Sequence, residues 1–406
     1  MSSRPPASIV IIGGGQAAVE AAVCLRKNDF DGKLTVVCGE TQPPYQRPPL
    51  SKQLLAGKTS AQAVALRSPE FFQSHGIDLR MGDPVLHIDR ARKTLHTKNG
   101  ETLPYDRALI ATGAAARRLE MEGAELEGVR YLRSLDDCLA LAGELREGAR
   151  LAIIGAGYIG MEVAATARTL GCEVSVLEMA PRILSRQVAP QIAELFESRH
   201  RQQGVDIRCA TEVRSLLGST RIEAVRVDGD TVPADVVVVG IGVAPEVAWL
   251  EGSGLCGAAG IEVDHRCCSV DPDIFAAGDV TLQRRGNGAS MRVESVHNAV
   301  YQGRIAALAM LDKPPPCEEV PWFWSDQYDL RLQMAGFPAA SDRTIMRHYE
   351  SGMAVFYLNG ADRITAVQCV GNPREFMLSK KLIAQCTPVD LKSLGDANHP
   401  LQECLT

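Results

Sequence analysis

The chain contains one local pattern twice: an apolar β-branched run, a glycine-rich turn and a helix-compatible stretch. Residues 8–18 read SIVIIGGGQAA and residues 151–161 read LAIIGAGYIGM. Each fits G-x-G-x-x-G/A, in which the first glycine permits a sharp turn, the second lets backbone approach phosphates and the third position must be small for helix–strand packing. The helix start then offers N–H groups and a positive dipole end to an anion. Two copies predict two Rossmann-like dinucleotide-binding units.

Each motif is followed by a second strand-like run that ends in a carboxylate, Glu40 after the first motif and Glu178 after the second. Both acids lie roughly 20 residues downstream, where an acid meets ribose hydroxyls. Such an acid favours a free 2′-hydroxyl over a 2′-phosphate through hydrogen bonding and charge repulsion. In a unit that binds a nicotinamide nucleotide, Glu178 would therefore predict a preference for NADH over NADPH, although Arg182 lies close in sequence.

Other segments complete an α/β architecture. Three further apolar runs stop at glycine, as strands buried on both faces of a parallel sheet do. They are RALIATG (107–113), DVVVVGIG (235–242) and DPDIFAAGD (271–279). A helix is predicted from Glu294 to the prolines at 314–316. From about residue 323 a hairpin turning at Asn359-Gly360 and a helical stretch, PREFMLSKKLIAQ, indicate a small α+β domain.

Composition excludes several classes of function. The 406 residues carry a formal net charge of −6, which argues against wholesale nucleic-acid binding. There is no apolar run of membrane-spanning length, and the start MSSRPPAS lacks the apolar part of a signal peptide, so a cytoplasmic location is expected. The 12 cysteines are scattered without a C-x-x-C pair, so no metal site is predicted and reduced, buried thiols are expected.

The segment QPPYQRPPLSK (42–52) encloses Arg47 between two proline pairs and closes on Lys52, with no cysteine. Proline fixes φ and lowers the entropy lost on ordering, so the pairs predict a rigid loop. Ser51 is expected to cap a short helix, KQLLA, that ends at Gly57.

Several motifs together resemble a known family. The two glycine motifs, the ATG strand end (111–113) and the GD strand end (278–279) resemble the flavoprotein reductases of the glutathione reductase superfamily. Within it, PYQRPPLSK, the ESVHNA helix start and PWFWSDQYDL resemble the oxygenase-coupled NADH:ferredoxin reductases, over essentially the whole chain. The resemblance implies a glutathione reductase-like α/β fold. Its domains would be a discontinuous FAD domain (1–114 and 245–322), an NAD domain (115–244) and a C-terminal interface domain (323–406).

The resemblance also implies the residues that bind the cofactors, since the family's first fold holds FAD and its second holds the nicotinamide nucleotide. The FAD contacts implied here are Gly13, Gly15, Ala17, Glu40, Arg47, Lys52, Val85, Arg133, Asp279 and Val296. Further cofactor-binding positions are Ala111, Gly113, Gly155, Gly157, Ile159, Gly160, Glu178, Gly242 and Trp324. Val85 is equally compatible with a core position, and Arg133 with a solvated surface charge.

The dithiol reductases of the superfamily carry redox cysteines where this chain has its proline-rich segment. The resemblance implies that Lys52 instead lies near flavin N5, where hydride arrives, with Glu162 of the second motif's helix as its ion-pair partner. The alternative is that the two are unrelated solvated charges. Without a cysteine relay, electrons leave the flavin singly to a docked carrier or in pairs to a small oxidant.

The resemblance names the carrier as a [2Fe–2S] ferredoxin that serves a cytochrome P-450 type monooxygenase or a Rieske dioxygenase. Ferredoxins are usually acidic, and Arg67, Arg304 and Arg331 occupy positions that resemble the family's docking surface. A rubredoxin reductase or an NADH oxidase on the same fold is one alternative. A non-catalytic NADH-sensing flavoprotein is another, and it would be expected to carry long basic or targeting segments that this sequence lacks.

Overall fold

A computed structural model of the chain describes residues 6–284 and 290–405, and these form two compact units. The first unit contains the residues up to Arg47, Ser60–Ala115 and Val243–Glu318. The second contains Pro48–Thr59, Ala116–Gly242 and the residues from Glu319 onward. Residues 48–52 of the proline-rich segment therefore lie in the second unit, whereas the predicted FAD domain (1–114 and 245–322) included them. No helix in residues 6–284 and 290–405 has both the length and the apolar character needed to cross a membrane.

The first unit is built on a five-stranded sheet in which every neighbouring pair is parallel. The strand order is Ile274–Ala276, Arg107–Ile110, Ser8–Ile12, Lys33–Val37, Ile77–Arg80. The strand of the first glycine motif lies at the centre, and its residues from Ile9 onward are buried. This burial on both faces explains why the predicted strands read as continuous apolar runs.

Smaller elements cover this sheet. The helices are Gln16–Lys27, Pro69–Ser74 and Val296–Met310, with 3₁₀ turns at Gln62–Val64 and Ala248–Leu250. Three small sheets are formed by Val85–Asp89, Thr94–Thr97 and Thr102–Pro104; by Ala114–Ala116 and Val243–Pro245; and by Ile261–Val263, Thr281–Arg284 and Ser290–Met291. The helix predicted from Glu294 is confirmed and begins at Val296, where the Ser295 side chain accepts a hydrogen bond from the Asn298 N–H.

The second unit repeats the parallel arrangement around the second glycine motif. Its strand order is Asp206–Arg208, Glu173–Leu177, Arg150–Ile154, Val236–Val239, Val129–Tyr131. The helices here are Leu135–Ala142, Tyr158–Thr169 and Pro190–Gln202, and a 3₁₀ turn spans Pro48–Ser51. An antiparallel sheet of Val213–Gly218, Ile222–Val227 and Asp230–Pro233 adjoins them.

The C-terminal part of the second unit is an antiparallel sheet with helices, as the sequence predicts. Its strand order is Trp322–Gln327, Leu330–Gly336, Ile364–Val370, Gly352–Leu358, Arg343–Tyr349. The helices are Pro373–Gln385 and Leu391–Gly395, followed by a 3₁₀ turn at Leu401–Cys404. The predicted hairpin is confirmed, and its turn is held by the Asn359 side-chain oxygen, which accepts the N–H groups of Ala361 and Arg363.

A buried arginine fastens the last segment of the chain to this sheet. The Arg347 side chain is only 1% exposed. Its guanidinium donates to the carbonyl oxygens of Leu394 at 3.1 Å and His399 at 2.5 Å, and to the Glu375 carboxylate at 3.1 Å. A buried cation of this kind is tolerated because its two terminal nitrogens, Nη1 and Nη2, donate to a carboxylate and to backbone carbonyls.

Arg347→Leu should destabilise the second unit by about 3–5 kcal/mol, because it leaves the Glu375 carboxylate and two backbone acceptors without their donor. Urea unfolding followed by intrinsic fluorescence measures the loss. Arg343 lies on the same strand with a side chain that is 52% exposed and paired with Asp362. Arg343→Leu should therefore cost less than about 1 kcal/mol. Equal losses in the two variants would contradict the role given to Arg347.

His200, on the Pro190–Gln202 helix, is a second buried ionisable group of this unit and is 0% exposed. Burial lowers its pKa from 6.5 to about 4, so the ring is neutral at neutral pH. Its Nε2 lies 2.8 Å from the side-chain oxygen of Gln327, and its ring packs edge-on against Tyr328.

Because the folded-state pKa of His200 is depressed, the unfolded chain binds more protons between pH 6.5 and about 4. The contribution of the neutral ring to stability is complete above that window and is lost as pH falls through it, on the order of 3 kcal/mol. Urea midpoints of wild type and His200→Gln, measured from pH 7.5 to 4.5, should converge as pH falls. Parallel pH profiles would show that His200 is not held neutral by burial.

Candidate functional site

The turn of the first motif has a backbone that only glycine accommodates at its first position. Gly13 has φ of 122°, and a Cβ there would lie 2.2 Å from the Ala111 carbonyl oxygen. At Gly15, by contrast, a Cβ would meet nothing within 4 Å. The Gln16–Lys27 helix that follows has no side-chain cap and no acid in its first turn. The turn therefore fits a pyrophosphate, with open space at Gly15 and helix N–H groups that no side chain caps.

The second motif has the same design. Gly155 has φ of 98°, and a Cβ there would lie 2.5 Å from the Gly240 carbonyl oxygen. A Cβ at Gly160 would lie 2.2 Å from the Gly155 carbonyl oxygen, which explains the need for a small third residue. Gly157 begins a helix with no side-chain cap and no acid in its first turn. Ile159, two residues after Gly157, is exposed. Gly242 has φ of 99°, and a Cβ there would meet nothing within 4 Å.

Glu178 stabilises the second turn directly. Its carboxylate accepts the N–H of Ala156 at 2.7 Å and the N–H of Ala180 at 2.8 Å. The acid predicted to meet a ribose therefore also fixes the backbone of the glycine turn. The guanidinium of the neighbouring Arg182 donates to the Ser185 carbonyl at 2.9 Å.

Glu40, the acid of the first unit, is tied to the proline-rich segment. Arg47 donates to one of its oxygens at 2.7 Å, and the Tyr45 hydroxyl donates to the other at 2.5 Å. The Arg47 guanidinium also lies 5.3 Å from the centre of the Tyr45 ring. The two predicted FAD contacts Glu40 and Arg47 are thus brought together, and the first half of the segment is held at the strand end.

A buried polar cluster fixes the GD strand end beside the helix that begins at Val296. The Gln302 side-chain oxygen accepts the N–H of Gly278 at 2.8 Å and the hydroxyl of Thr281 at 3.0 Å. The Asn298 amide donates to the same oxygen at 3.3 Å. The cluster orders the turn that carries Asp279. Sequence reasoning missed Asn298 and Gln302, although two amides four residues apart on a mostly apolar helix were the available signal.

Lys52 and Glu162 meet in the second unit, as the resemblance implies. The Lys52 ammonium lies 2.5 Å from one Glu162 oxygen, and the side chains are 17% and 4% exposed. The Ser51 hydroxyl donates to the same oxygen at 2.5 Å, and the Ser325 hydroxyl donates to the other at 2.7 Å. The two charges are therefore a buried, fully partnered pair rather than unrelated solvated groups.

The helix KQLLA with Ser51 as its cap was a wrong prediction. Pro48–Ser51 forms a 3₁₀ turn, and irregular turns follow as far as Gly57. The Ser51 hydroxyl is used by Glu162 instead of by the backbone, because a buried carboxylate is the stronger acceptor. The Ser51 carbonyl accepts the Thr166 hydroxyl at 2.8 Å, and the Leu50 carbonyl accepts the Cys138 thiol at 3.2 Å. These bonds explain why the segment belongs to the second unit.

The remaining predicted cofactor positions differ in exposure. Val85 is buried in the apolar core of the first unit. Ala17 and Ala111 are also buried, and Gly113 has φ of 75°. Arg133 is half-buried, and its backbone N–H donates to Asp137 just before a helix. Trp324 is half-buried, and its ring centre lies 5.3 Å from that of Trp322.

The three arginines predicted to dock a partner have different surroundings. Arg304 is half-buried and donates to Glu20 at 2.6 Å. Arg331 is 56% exposed and lies 3.5 Å from Asp326. Arg67 is exposed, with its guanidinium 5.4 Å from the centre of the Phe71 ring. Arg67 and Arg331 therefore present charge to solvent, whereas much of the Arg304 charge is balanced within its own unit.

Comparisons with known proteins cover nearly the whole chain. The pyridine nucleotide-disulphide oxidoreductase family model matches residues 7–303, and the reductase C-terminal model matches residues 322–405. The 5,5′-dehydrodivanillate O-demethylase ferredoxin reductase subunit of a Sphingobium species is 37% identical, over 98% of each chain. The ferredoxin–NAD(+) reductase component of the p-cumate 2,3-dioxygenase system of Pseudomonas putida is also 37% identical, over 98% of each chain.

The fold has equally similar solved relatives. The reductase in the crystal structure of a covalent putidaredoxin reductase–putidaredoxin complex superposes with a TM-score of 0.94 at 38% identity, and the match covers 99% of this chain and 98% of that one. The predicted fold class, two dinucleotide-binding folds with parallel sheets and a C-terminal antiparallel domain, is confirmed. The chain belongs to the pyridine nucleotide-disulphide oxidoreductases and, within them, to the oxygenase-coupled ferredoxin reductase family of flavoprotein enzymes.

Proposed function

We propose that the protein is an FAD-dependent NADH:ferredoxin reductase. NADH would deliver hydride to bound FAD, and the two electrons would then pass one at a time to two molecules of a [2Fe–2S] ferredoxin, with release of one proton. The ferredoxin would serve a cytochrome P-450 type monooxygenase or a Rieske dioxygenase. The observation that carries this proposal is the buried Lys52–Glu162 pair in a segment without cysteine. A charge pair offers no thiol to store electrons, so an external acceptor must take them.

The thiols nearest this segment in sequence or space support the same conclusion. Burial raises the pKa of Cys38 to about 12 and that of Cys138 to about 11. Both are therefore protonated thiols at neutral pH, and a thiol reacts as a nucleophile only as its thiolate. Every cysteine in residues 6–284 and 290–405 is outside a disulfide.

FAD would be held in the first unit. The Gly13–Gly15 turn would receive the pyrophosphate, Asp279 would accept hydrogen bonds from ribityl hydroxyls, and the helix start at Val296 would direct its N–H groups and dipole toward the pyrimidine edge. Bound FAD supplies an acceptor that takes up hydride and releases electrons singly. The Asn298–Gln302 cluster keeps the turn and the helix start in register for that purpose.

NADH would be held by the second glycine turn, with Glu178 accepting a hydrogen bond from the adenosine ribose. The Lys52 ammonium would act as a fixed positive charge, because the Glu162 carboxylate and its hydroxyl donors restrict its motion. A preoriented charge stabilises negative charge that develops during hydride transfer without first having to reorganise.

Steady-state reduction of cytochrome c by NADH, with and without an added [2Fe–2S] ferredoxin, tests the function of the purified FAD-loaded protein. Strong dependence on the ferredoxin is expected. Dependence on rubredoxin, or direct production of peroxide, would favour the rubredoxin reductase or oxidase alternative. Binding of NADH without turnover would favour the non-catalytic sensor.

Lys52→Met and Glu162→Gln should each lower the limiting rate of flavin reduction by NADH at least about tenfold, since each removes half of the preoriented pair. Stopped-flow absorbance of the flavin measures this rate. Glu197 offers a matched control, because it forms an ion pair with Arg201 on a helix of the same unit, with side chains 26% and 48% exposed. The flavin of Glu197→Gln should be reduced by NADH at the wild-type rate. Wild-type rates in Lys52→Met and Glu162→Gln would show that the pair does not assist hydride transfer.

Glu178→Ser should reduce the preference for NADH over NADPH by about tenfold, as the repulsion of a 2′-phosphate disappears. Because Glu178 also binds the N–H groups of Ala156 and Ala180, affinity for both nucleotides should fall. The ratio of the two kcat/KM values is the measurement. Glu173→Ser, an exposed change at the other end of the same strand, should leave the ratio unchanged. An unaltered ratio in Glu178→Ser would defeat the assignment.

A further inference from the structure

Behind the Lys52–Glu162 pair, a chain of hydrogen bonds runs into the core of the second unit. Ser325 donates to Glu162 at 2.7 Å. The Gln327 amide nitrogen donates to the Ser325 hydroxyl oxygen at 3.2 Å. The Gln327 amide oxygen lies 2.8 Å from Nε2 of His200. Ser325, Gln327 and His200 are all buried, so water does not compete for these bonds.

The bonds of this chain all point in one direction. A serine hydroxyl has one hydrogen, and Ser325 gives it to Glu162. The Gln327 amide nitrogen faces Ser325, which leaves its oxygen toward His200. Nε2 of the neutral His200 ring must therefore carry the ring proton and donate it. The three donors are aligned in series, and the last of them, the Ser325 hydroxyl, donates to the Glu162 carboxylate. Hydrogen bonds aligned in this way polarise and strengthen one another.

This hydrogen-bond chain orients the Glu162 carboxylate and does not transfer protons. A primary amide neither gains nor loses a proton near neutral pH, so Gln327 blocks any relay from His200 to Glu162. The Nδ1 atom of His200 has no hydrogen-bond partner within residues 6–284 and 290–405. An unpaired buried acceptor lowers stability, and within the described residues the ring forms its hydrogen bond through Nε2.

The His200 end of this hydrogen-bond chain is fixed by a hairpin that packs on the Pro190–Gln202 helix. Tyr328, in the turn after Gln327, has φ of 55°, a left-handed conformation that bulky residues rarely adopt. This conformation sets the Tyr328 ring 4.9 Å from the His200 ring. Asp329, the next residue, forms an ion pair with Arg199. The strained turn is thus held at His200 and at the preceding residue, Arg199, which keeps Gln327 in register.

We propose that Ser325, Gln327 and His200 are positioning residues for hydride transfer. Their aligned donors hold one oxygen of Glu162, so that the other oxygen stays directed at Lys52 and Ser51 and fixes the ammonium. This inference rests on the proposed function, because it assumes that the Lys52–Glu162 pair acts in the reduction of FAD by NADH.

Stopped-flow reduction of the FAD-loaded protein by NADH tests the role of Ser325. Ser325→Ala should lower the limiting rate about tenfold while the dissociation constant of NADH changes less than about twofold, and Ser325→Thr, which keeps a hydroxyl, should restore most of the rate. In a Glu162→Gln background, Ser325→Ala should cause no further loss, since Ser325 acts through Glu162. Additive losses in this double-mutant cycle would overturn the proposal.

A second readout is independent of turnover. ¹⁵N NMR of histidine-labelled protein should show His200 as the neutral Nε2–H tautomer at pH 7, and Gln327→Met should shift its Nε2–H resonance. Gln327→Met should also lower the rate of flavin reduction by NADH several-fold. The hydrogen-bond chain can therefore be tested even if Ser325→Ala does not fold. A His200 ring that carries its proton on Nδ1 would overturn the donor direction.

A matched control separates positioning from general packing. Ser379 is a buried serine of the same unit whose hydroxyl donates to the Glu375 carbonyl at 2.7 Å. Ser379→Ala should lose stability without losing rate. If the flavin of Lys52→Met and of Glu162→Gln is reduced by NADH as fast as that of wild type, the proposed function of the pair and this inference both fail. If those variants are slow but Ser325→Ala equals Ser379→Ala in rate, only the positioning role is overturned.

Discussion

The arrangement of the second unit depends on one buried carboxylate. Glu162 lies on the helix of the second glycine motif with 4% of its side chain exposed, and a charge in that environment is tolerable only when it is paired and fully hydrogen-bonded. The partners come from two other places in the chain: Lys52 and Ser51 from the proline-rich segment, and Ser325 from the first strand of the C-terminal sheet. The same carboxylate therefore joins three separate segments of this unit and fixes the cation proposed to assist hydride transfer.

Most of the fold could be predicted from local pattern. The strands at Ser8–Ile12 and Arg150–Ile154, and the turns that follow them, were predicted because continuous apolar runs and fixed glycine spacing have direct backbone causes. The helix at Val296 followed from helix-compatible sequence that prolines stop, and the Asn359 hairpin followed from turn chemistry. These signals lie within a few residues of the structure that they specify.

The site was predictable only where a motif carried it. The resemblance supplied the Lys52–Glu162 pair, which no periodicity would have joined across 110 residues. The Ser51 cap failed because a distant acceptor outcompeted the local backbone for its hydroxyl. Gln302, Ser325 and His200 were missed for a related reason: a buried polar side chain in an apolar element is a visible anomaly, but its partner depends on tertiary packing.

Glu178 has a double duty with a practical consequence. Its two oxygens accept the N–H groups of Ala156 and Ala180, and the same carboxylate is proposed to accept a hydrogen bond from the ribose. Retargeting this reductase to another nicotinamide cofactor is therefore not a matter of charge reversal alone. A redesigned strand end would have to supply new acceptors for both amides, or the second glycine turn would lose its shape along with its proposed selectivity.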